Sequence, residues 1–409
     1  MMRVLAILFP FAWRNLWRNQ RRTFITLAVV AVGVWSILAF NAVVRAWSDS
    51  ALIGSLRNMT ADAQIHAPGY RDNPEIQHSF PIPTGRLAGV LSSKRISAWA
   101  ARVRTPAIIQ SEYRTLPVTL VGMDPQQEVG VSFIADARIQ GRMLENSADD
   151  GVLLGRHLAD HLETRVGKRI VIMANDARGK LQERGARVIG IYAAEPRMED
   201  AYLFTGLQPA QQFLRADGLL SEIALMTPTQ QQLAGVLRQL RQAAPQLDIA
   251  DWAELQPMTK GIHDITEGFI YVWLLVMFVL IAIGVVNTQL MAVFERTREF
   301  GLLQALGFRP GWVVLEVVLE AVQIIGFGVF LGAVSAYLTV QAMQGGISLG
   351  GLSAGADFLG IERILYPRLD GSEFIITICV IWGLGVATAV WPARRAARFN
   401  AIDAMRASN

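Results

Sequence analysis

Four long apolar runs constrain this chain more than any other feature of its sequence. The first extends from Thr23 to Val44, 22 uncharged residues that would span about 33 Å as a helix. The second and fourth, residues 268–294 and 374–393, are also uncharged, and the third, residues 310–343, contains only two acidic residues. Because charged residues make up only 18% of the chain, it is too apolar for an ordinary soluble protein. We therefore predict an integral membrane α-helical protein with four transmembrane helices.

The first run also raises the alternative of a cleaved signal peptide. The apolar core of such a peptide is only about 7–15 residues long, and no small-residue cleavage site precedes a polar start here. A retained transmembrane helix is therefore the favoured interpretation.

The third run carries the polar and small residues that bear on helix packing. Glu316 and Glu320 are four residues apart, so they share one helix face, and their cost at mid-bilayer favours a position near the helix start, facing protein or headgroups. Gly328, Gly332 and Ala336 place small residues on one face, which permits close helix approach. The pattern leaves open whether they pack within the chain or between two copies.

The distribution of charge predicts the orientation of the helices. Three segments (residues 1–22, 295–309 and 394–409) carry 12 arginines between them, whereas residues 344–373 carry two arginines against four acidic residues. By the positive-inside rule the arginine-rich segments are cytoplasmic. The predicted order is a cytoplasmic amphipathic helix (1–22), a first span (23–44), an extracytoplasmic domain (45–267), a second span (268–294), a cytoplasmic helix (295–309), a third span (310–343), an extracytoplasmic loop (344–373), a fourth span (374–393) and a cytoplasmic tail (394–409).

The long insert at residues 45–267 reads as a mixed α/β domain. Short apolar stretches separated by turn residues predict strands, and residues 222–249 read as strand, helix, strand. Its flanks, Arg45–Met59 and Asp251–Glu267, would continue the first two spans outward as helical stalks. The domain has 24 basic and 25 acidic residues, a balance that argues against a nucleic-acid surface. The predicted strands are Ala63–His66, Val118–Val121, Val152–Leu154, Arg169–Met173, Arg187–Ile191, Glu222–Met226 and Leu247–Ile249.

The sequence offers no catalytic constellation. A phosphate-binding loop is missing, because Gly167-Lys168 lacks both the preceding glycine and the following hydroxyl residue. His157 and His161 have the spacing of metal ligands, but no third ligand is evident. We expect no catalytic residue, no metal and no cofactor in this chain.

Residues 295–308 predict a short amphipathic helix after the second span. Its charges lie in the first turns and its apolar residues in the later ones, while Gly307 and Pro310 mark its end. A connector lying on the membrane would have the same composition. However, the segment Glu295-Arg-Thr-Arg-Glu-Phe-Gly-Leu-Leu-Gln-Ala-Leu-Gly-Phe308 strongly resembles the coupling-helix signature of FtsX-like permeases, the family of macrolide-export and lipoprotein-releasing ABC transporters.

The resemblance covers both ends of the chain, the spans and part of the insert. Ala12–Thr23 is similar to the family's amino-terminal amphipathic helix, residues 392–406 are similar to its carboxyl-terminal ending, and Glu320 falls where members often have an acidic residue. Fragments such as Gly141–Leu144 and Gly151–Gly155 are similar to its extracytoplasmic domain, with less specificity.

The resemblance implies a permease that works by mechanotransmission, in which ATP-driven closure moves the outer domains. The implied partners are two copies of a cytoplasmic ABC ATPase that binds ATP and Mg²⁺, a second permease copy (identical or paralogous), membrane lipids, and a periplasmic adaptor or lipoprotein carrier. We expect Phe300, Leu303 and Leu306 to fill a groove in the ATPase. The full set of expected coupling residues is Glu295, Arg296, Arg298, Glu299, Phe300, Leu302, Leu303, Leu306 and Gly307, with the charged residues forming rim ion pairs.

Two functions from different classes remain. The first is a permease of the bacterial inner membrane that extracts or exports a lipoprotein, a lipid or an amphipathic molecule. The second is a signalling subunit that does not transport but activates a periplasmic cell-wall hydrolase. The size of the outer domain favours transport.

Overall fold

The computed structural model describes residues 2–307, 309–348 and 364–396. This part of the chain divides into two compact units, which we describe separately. The helical unit contains the residues up to Ser50 and those from His263 onward, and the α/β unit contains Ala51–Ile262.

Strands and short helices make up the α/β unit, and long helices make up most of the helical unit. The helices are α1 Met2–Leu16, α2 Gln20–Ser55, α3 Gly85–Leu91, α4 Arg156–His161, α5 Pro196–Ala201, α6 Leu207–Phe213, α7 Gln230–Ala243, α8 Trp252–Leu255, α9 Pro257–Glu295, α10 Thr297–Ala305, α11 Pro310–Met343 and α12 Gly371–Ala396. The strands are β1 Ala63–His66, β2 Phe80–Pro81, β3 Ala98–Gln110, β4 Thr115–Met123, β5 Arg138–Gly141, β6 Val152–Gly155, β7 Arg169–Asn175, β8 Leu181–Ala193, β9 Tyr202–Gly206, β10 Leu219–Leu220, β11 Glu222–Met226, β12 Asp248–Asp251, β13 Ile347–Ser348 and β14 Ile364–Leu365.

Four helices of the described chain are long and apolar enough to cross a membrane: α2, α9, α11 and α12. Within them, 61% of the most apolar window of α11 is buried, against 33% for α2 and 17% for each of the others. Therefore α11 is the central helix of the unit. Its Ile325 packs in one core with Val34 of α2, Ile281 of α9 and Ile381 of α12.

The small residues of α11 lie against α2 of the same chain. A Cβ atom added to Gly328 would lie 2.7 Å from Cβ of Val30, and one added to Gly332 would lie 2.5 Å from the carbonyl oxygen of Ala31. Ala336 is fully buried in the same core. The stripe of small residues thus forms an intrachain helix contact, the arrangement that the sequence left open.

The α/β unit is built on a large sheet with strand order β12-β1-β11-β3-β4-β9-β6-β8-β5, with β7 paired to β3 and β8. Most neighbours are antiparallel, but β4 pairs with β9, and β6 with β8, in parallel. Helix α7 buries Leu233, Val236 and Leu237 against this sheet, because its apolar residues recur at helical spacing.

The sequence located several of these elements. Strands β1 and β11 have the predicted bounds, and α7 begins one residue after the predicted start, with Thr229 at its N-cap position. The predicted stalks are largely helical, since α2 continues to Ser55 and α9 begins at Pro257. Between β12 and α9, Asp251 caps the short helix α8 by accepting a hydrogen bond from the Glu254 amide. The 13-residue strand β3 was not predicted, since Arg102, Arg104 and Pro106 interrupt its apolar pattern.

Candidate coupling site

Helix α10 is the short amphipathic helix that the sequence predicted between the second and third apolar helices. It runs over Thr297–Ala305 and is followed by Gly307, whose φ of +93° is a conformation that favours glycine. Pro310 then occupies the first position of α11, where its missing amide hydrogen costs nothing. Local sequence signals therefore fix both the end of α10 and the start of α11.

Phe300 corrects one expectation. Its side chain is only 1% exposed and packs with Val293 of α9, with Val313 and Val317 of α11, and with Ala393 of α12. The prediction that Phe300 fills a groove in a partner is therefore wrong, because the ring is already buried within its own chain.

Two other apolar residues on this helical turn face outward. Leu302 is 64% exposed and Leu306 is 73% exposed. They are four residues apart, so they lie on one side of the turn. The side chain of Leu303 lies outside the described part of the chain. An external partner would therefore contact Leu302 and Leu306 rather than Phe300.

Arg296 corrects a second expectation, since it is not a rim residue. Its guanidinium donates to Glu316 at 2.6 Å, to Glu320 at 3.2 Å and to Glu299 at 2.9 Å. The side chains of Arg296, Glu316 and Glu320 are only 10%, 4% and 3% exposed. As predicted, both glutamates of α11 face protein, and their partner is the residue that directly precedes α10.

The same carboxylates also hold the amino-terminal helices. Arg22 of α2 pairs with Glu320 at 3.2 Å and with Glu295 of α9 at 3.2 Å. Asn15 of α1 donates to Glu316 at 3.1 Å. We call Arg22, Arg296, Glu299, Glu316 and Glu320 the coupling cluster, because it joins α2, α10 and α11 at one point.

The neighbouring residues Glu299 and Arg298 of α10 differ in their surroundings, since Glu299 is held by ion pairs and Arg298 is exposed. Glu299 accepts from Arg296 and pairs with Arg18 at 2.5 Å. Partial burial alone would raise the pKa of Glu299, but the hydrogen bonds from Arg296 and Arg18 lower it below its ordinary value. Of the expected rim charges, Arg298 on α10 is exposed, and Glu295 at the end of α9 is also exposed although it pairs with Arg22.

Burying charges in the coupling cluster has a physical consequence. A buried ion pair adds little net stability compared with a well-packed apolar replacement, yet removing one partner is costly because the other charge stays buried. Such a network fixes geometry more than it adds stability. It therefore fastens α10 to the apolar helices in one defined arrangement.

The histidine pair on α4 has a neighbour that the sequence could not reveal. Asp200 lies 3.9 Å from His157 and 3.6 Å from His161, so the pair faces a carboxylate from the end of α5. Across the described residues, no group of three or more His, Cys, Asp or Glu side chains could hold a metal ion.

The fold and this site define a class: a membrane protein with four apolar helices, a large α/β unit between the first two, and a short helix fastened to the bundle by buried ion pairs. Comparison with known families identifies the class further. Residues 271–401 match the model described as FtsX-like permease C-terminal, and residues 23–243 match the MacB-like periplasmic core domain. The chain belongs to the FtsX-like permease family and carries a MacB-like periplasmic core domain.

The chain is also similar to several named proteins. The chain is 22% identical to the lipoprotein-releasing system transmembrane protein LolC of Neisseria meningitidis over 95% of both chains. It is 23% identical to the macrolide export ATP-binding/permease protein MacB 1 of Yersinia pestis over 96% of its own length, and it spans only 59% of that relative. A solved structure, the periplasmic region of MacB from Actinobacillus actinomycetemcomitans, is 12% identical, with a TM-score of 0.34 over 52% of this chain and 95% of that one.

Proposed function

We propose that this chain is the transmembrane subunit of an ABC transporter, which couples ATP hydrolysis by a separate ATPase to a conformational change of its periplasmic domain. The observation that carries the proposal is α10. This helix presents Leu302 and Leu306 on its surface while Arg296, directly before it, is bound in the coupling cluster. A helix with an outward apolar face and a fixed inner face is suited to receive movement from a partner and to pass it on.

The orientation follows from the arginine distribution. By the positive-inside rule, α10 and both termini would lie in the cytoplasm and the α/β unit in the periplasm, with the four apolar helices in the inner membrane. Reporter fusions after residues 200 and 305 should then report opposite sides of the membrane. The same side for both fusions would overturn this topology.

The coupling step requires a difference in affinity. A partner ATPase can shift this chain between two conformations only if its ATP-bound and ATP-free forms bind them unequally. On α10 the apolar residues Leu302 and Leu306 would supply most of the binding energy, and the exposed Arg298 would add a weaker rim contact. ATP and Mg²⁺ would be bound by the ATPase, in two copies, alongside a second permease copy.

Among the possible cargoes, we favour a lipoprotein. The support for this choice is that the relative named for lipoprotein release aligns along 95% of both chains. A lipoprotein, a lipid or another amphipathic molecule would be extracted or exported, and a periplasmic adaptor or carrier would receive it. Activation of a cell-wall hydrolase remains the alternative.

Co-purification tests the docking face directly. An affinity-tagged chain with Leu302→Asp and Leu306→Asp should lose most of its bound ABC ATPase, identified by mass spectrometry, while inserting normally into the membrane. Leu181→Asp is the matched control, because Leu181 is 61% exposed on β8, in the α/β unit. If both variants retain the ATPase equally, the proposed docking face is wrong.

A further inference from the structure

The segment that connects α2 to β1 has an unusual backbone. Met59 has φ +73° and Ala61 has φ +59° with ψ −173°, although neither residue is glycine. L side chains rarely adopt such conformations, and they persist only where the surroundings hold them in place. Both side chains are buried, Met59 at 1% and Ala61 at 0% exposure. We call residues 58–61 the junction.

Two buried side chains hold the carbonyl groups of the junction. The Gln64 amide nitrogen donates to the carbonyl oxygens of Met59 and Thr60, both at 3.0 Å. Arg102 donates to the Met59 carbonyl at 3.0 Å. Gln64 and Arg102 therefore determine the path by which the outer end of α2 enters the sheet.

Arg102 is itself fully buried and fixed by carboxylates. It binds Glu128 through two nitrogens at 2.7 and 2.8 Å, and Glu222 at 2.6 Å. Burial alone would raise the pKa of Glu222, but Arg102 and Arg104 hold it below its ordinary value, so Glu222 stays ionised. This side of the junction is therefore insensitive to mild changes of pH.

On the other side of the junction, both ring nitrogens of a buried histidine face hydrogen-bond acceptors. His66 places Nδ1 3.0 Å from the carbonyl oxygen of Ser221 and Nε2 2.9 Å from the side-chain oxygen of Gln64. The Gln64 amide orientation is set by its nitrogen, which donates to two carbonyls, so its oxygen must face the imidazole. Both ring nitrogens thus face acceptors, and both contacts are hydrogen bonds only when the imidazole carries two protons.

The surroundings of His66 set where it titrates. It faces Glu222 from β11, Arg104 from β3 and Asp248 from β12, and it stacks on Tyr70 at 4.7 Å. Burial lowers the pKa of His66, and the attraction of Glu222 and the Ser221 carbonyl only partly offset this. His66 therefore gains its second proton below pH 6.5, the ordinary pKa of a histidine side chain. His66 lines a cleft of about 960 Å³.

We propose that His66 is a proton-sensitive positioning residue for the junction: its second proton fixes Gln64, and Gln64 fixes the carbonyls of Met59 and Thr60. A neutral His66 can donate to only one of its two acceptors; with its proton on Nδ1, bonded to the Ser221 carbonyl, Nε2 opposes the Gln64 oxygen and favours release of the amide. Acid therefore favours the held junction over a released one. The inference rests on the proposed function, since a periplasmic domain experiences the pH of the medium and the junction would transmit movement of α2.

Spin-label distances in the full chain, reconstituted in lipid nanodiscs, test this proposal. The sequence has one cysteine, so Cys379→Ser gives a cysteine-free background. Ile53→Cys at the outer end of α2 and Leu181→Cys on β8 are exposed label sites within the α/β unit. We expect the distance distribution to be about twofold narrower at pH 5 than at pH 8.

Variants assign that effect to His66. His66→Gln should abolish the dependence on pH, and Gln64→Ala should give a broad distribution at both pH values. His161→Gln, which changes a solvent-facing histidine of the same unit, should leave the dependence intact. Equal widths at both pH values in the background, or a pH dependence that survives His66→Gln, would overturn the proposal. Either result would leave the co-purification test of α10 unaffected, so the two failures are distinguishable.

Discussion

Replacing Arg296 should release α10 from the helices that it contacts. Arg296→Met preserves an apolar stem that can still pack on the Phe300 ring, which lies 5.0 Å from the guanidinium carbon. It removes the charge between Glu316 and Glu320, whose side chains are 4% and 3% exposed. Removing one partner from a buried ion pair costs about 3–5 kcal/mol. Because Arg22 still binds Glu320, we expect the lower end, about 3 kcal/mol.

That cost can be measured as hydrogen exchange in α10. A loss of about 3 kcal/mol corresponds to an increase of roughly 100-fold in the equilibrium constant for local opening. Arg298→Met is the matched control, since Arg298 is exposed on the same helix and its loss should change stability by less than about 0.5 kcal/mol. Adding Glu316→Gln to Arg296→Met should recover part of the protection, because it removes one of the stranded charges.

The comparison has a clear negative outcome. If amides of α10 exchange at the same rate in Arg296→Met and Arg298→Met, the coupling cluster does not fasten the helix. The argument that α10 transmits movement through buried charges would then fail, even if the ATPase still binds.

Three further changes test other parts of the structure. Gly332→Ala should destabilise the bundle by about 1–3 kcal/mol because the new Cβ meets the backbone of α2, whereas Gly383→Ala, with nothing within 4 Å, should not lower the melting temperature in detergent. Ala61→Gly should stabilise the α/β unit by about 1 kcal/mol in thermal unfolding, since glycine adopts its backbone angles without strain; a large loss of stability would contradict the strain assignment. Because the pKa of Glu299 is lowered in the folded state, its ion pairs contribute stability above pH 4.5, and this contribution is lost as the pH falls through the folded-state pKa. Limited proteolysis near α10 should therefore accelerate below pH 4.5. A rate that does not change there would refute this prediction.

Some of the coupling site could be predicted from the sequence because its signals are local. Gly307 and Pro310 end one helix and begin the next through their own backbone preferences. Which side of α10 is buried could not be predicted from such local signals. Phe300 and Leu302 lie on different sides of α10, and both sides are apolar, so periodicity does not determine which one is buried. The presence of Val293 and Val317 around Phe300 decided that question.

The α/β unit gives the same contrast. Strand β3 carries Arg102 and Arg104, which look like surface residues in a sequence, and their partners are distant along the chain. Glu128 follows Arg102 by 26 residues and Glu222 follows it by 120. A buried arginine is tolerable only where such carboxylates converge on it, and convergence is a property of the folded chain.

The sequence by itself determined the apolar helices, the class of the inserted domain and the position of α10, because the length of an apolar run and the preferences of glycine and proline act over a few residues. Tertiary structure alone decided which charges are buried, which face of α10 remains free, and how the junction at Met59 and Ala61 is held. Those properties depend on groups that come together from distant parts of the chain. Burial in a low-dielectric interior strengthens the hydrogen bonds and ion pairs between such groups and makes an unpaired group costly.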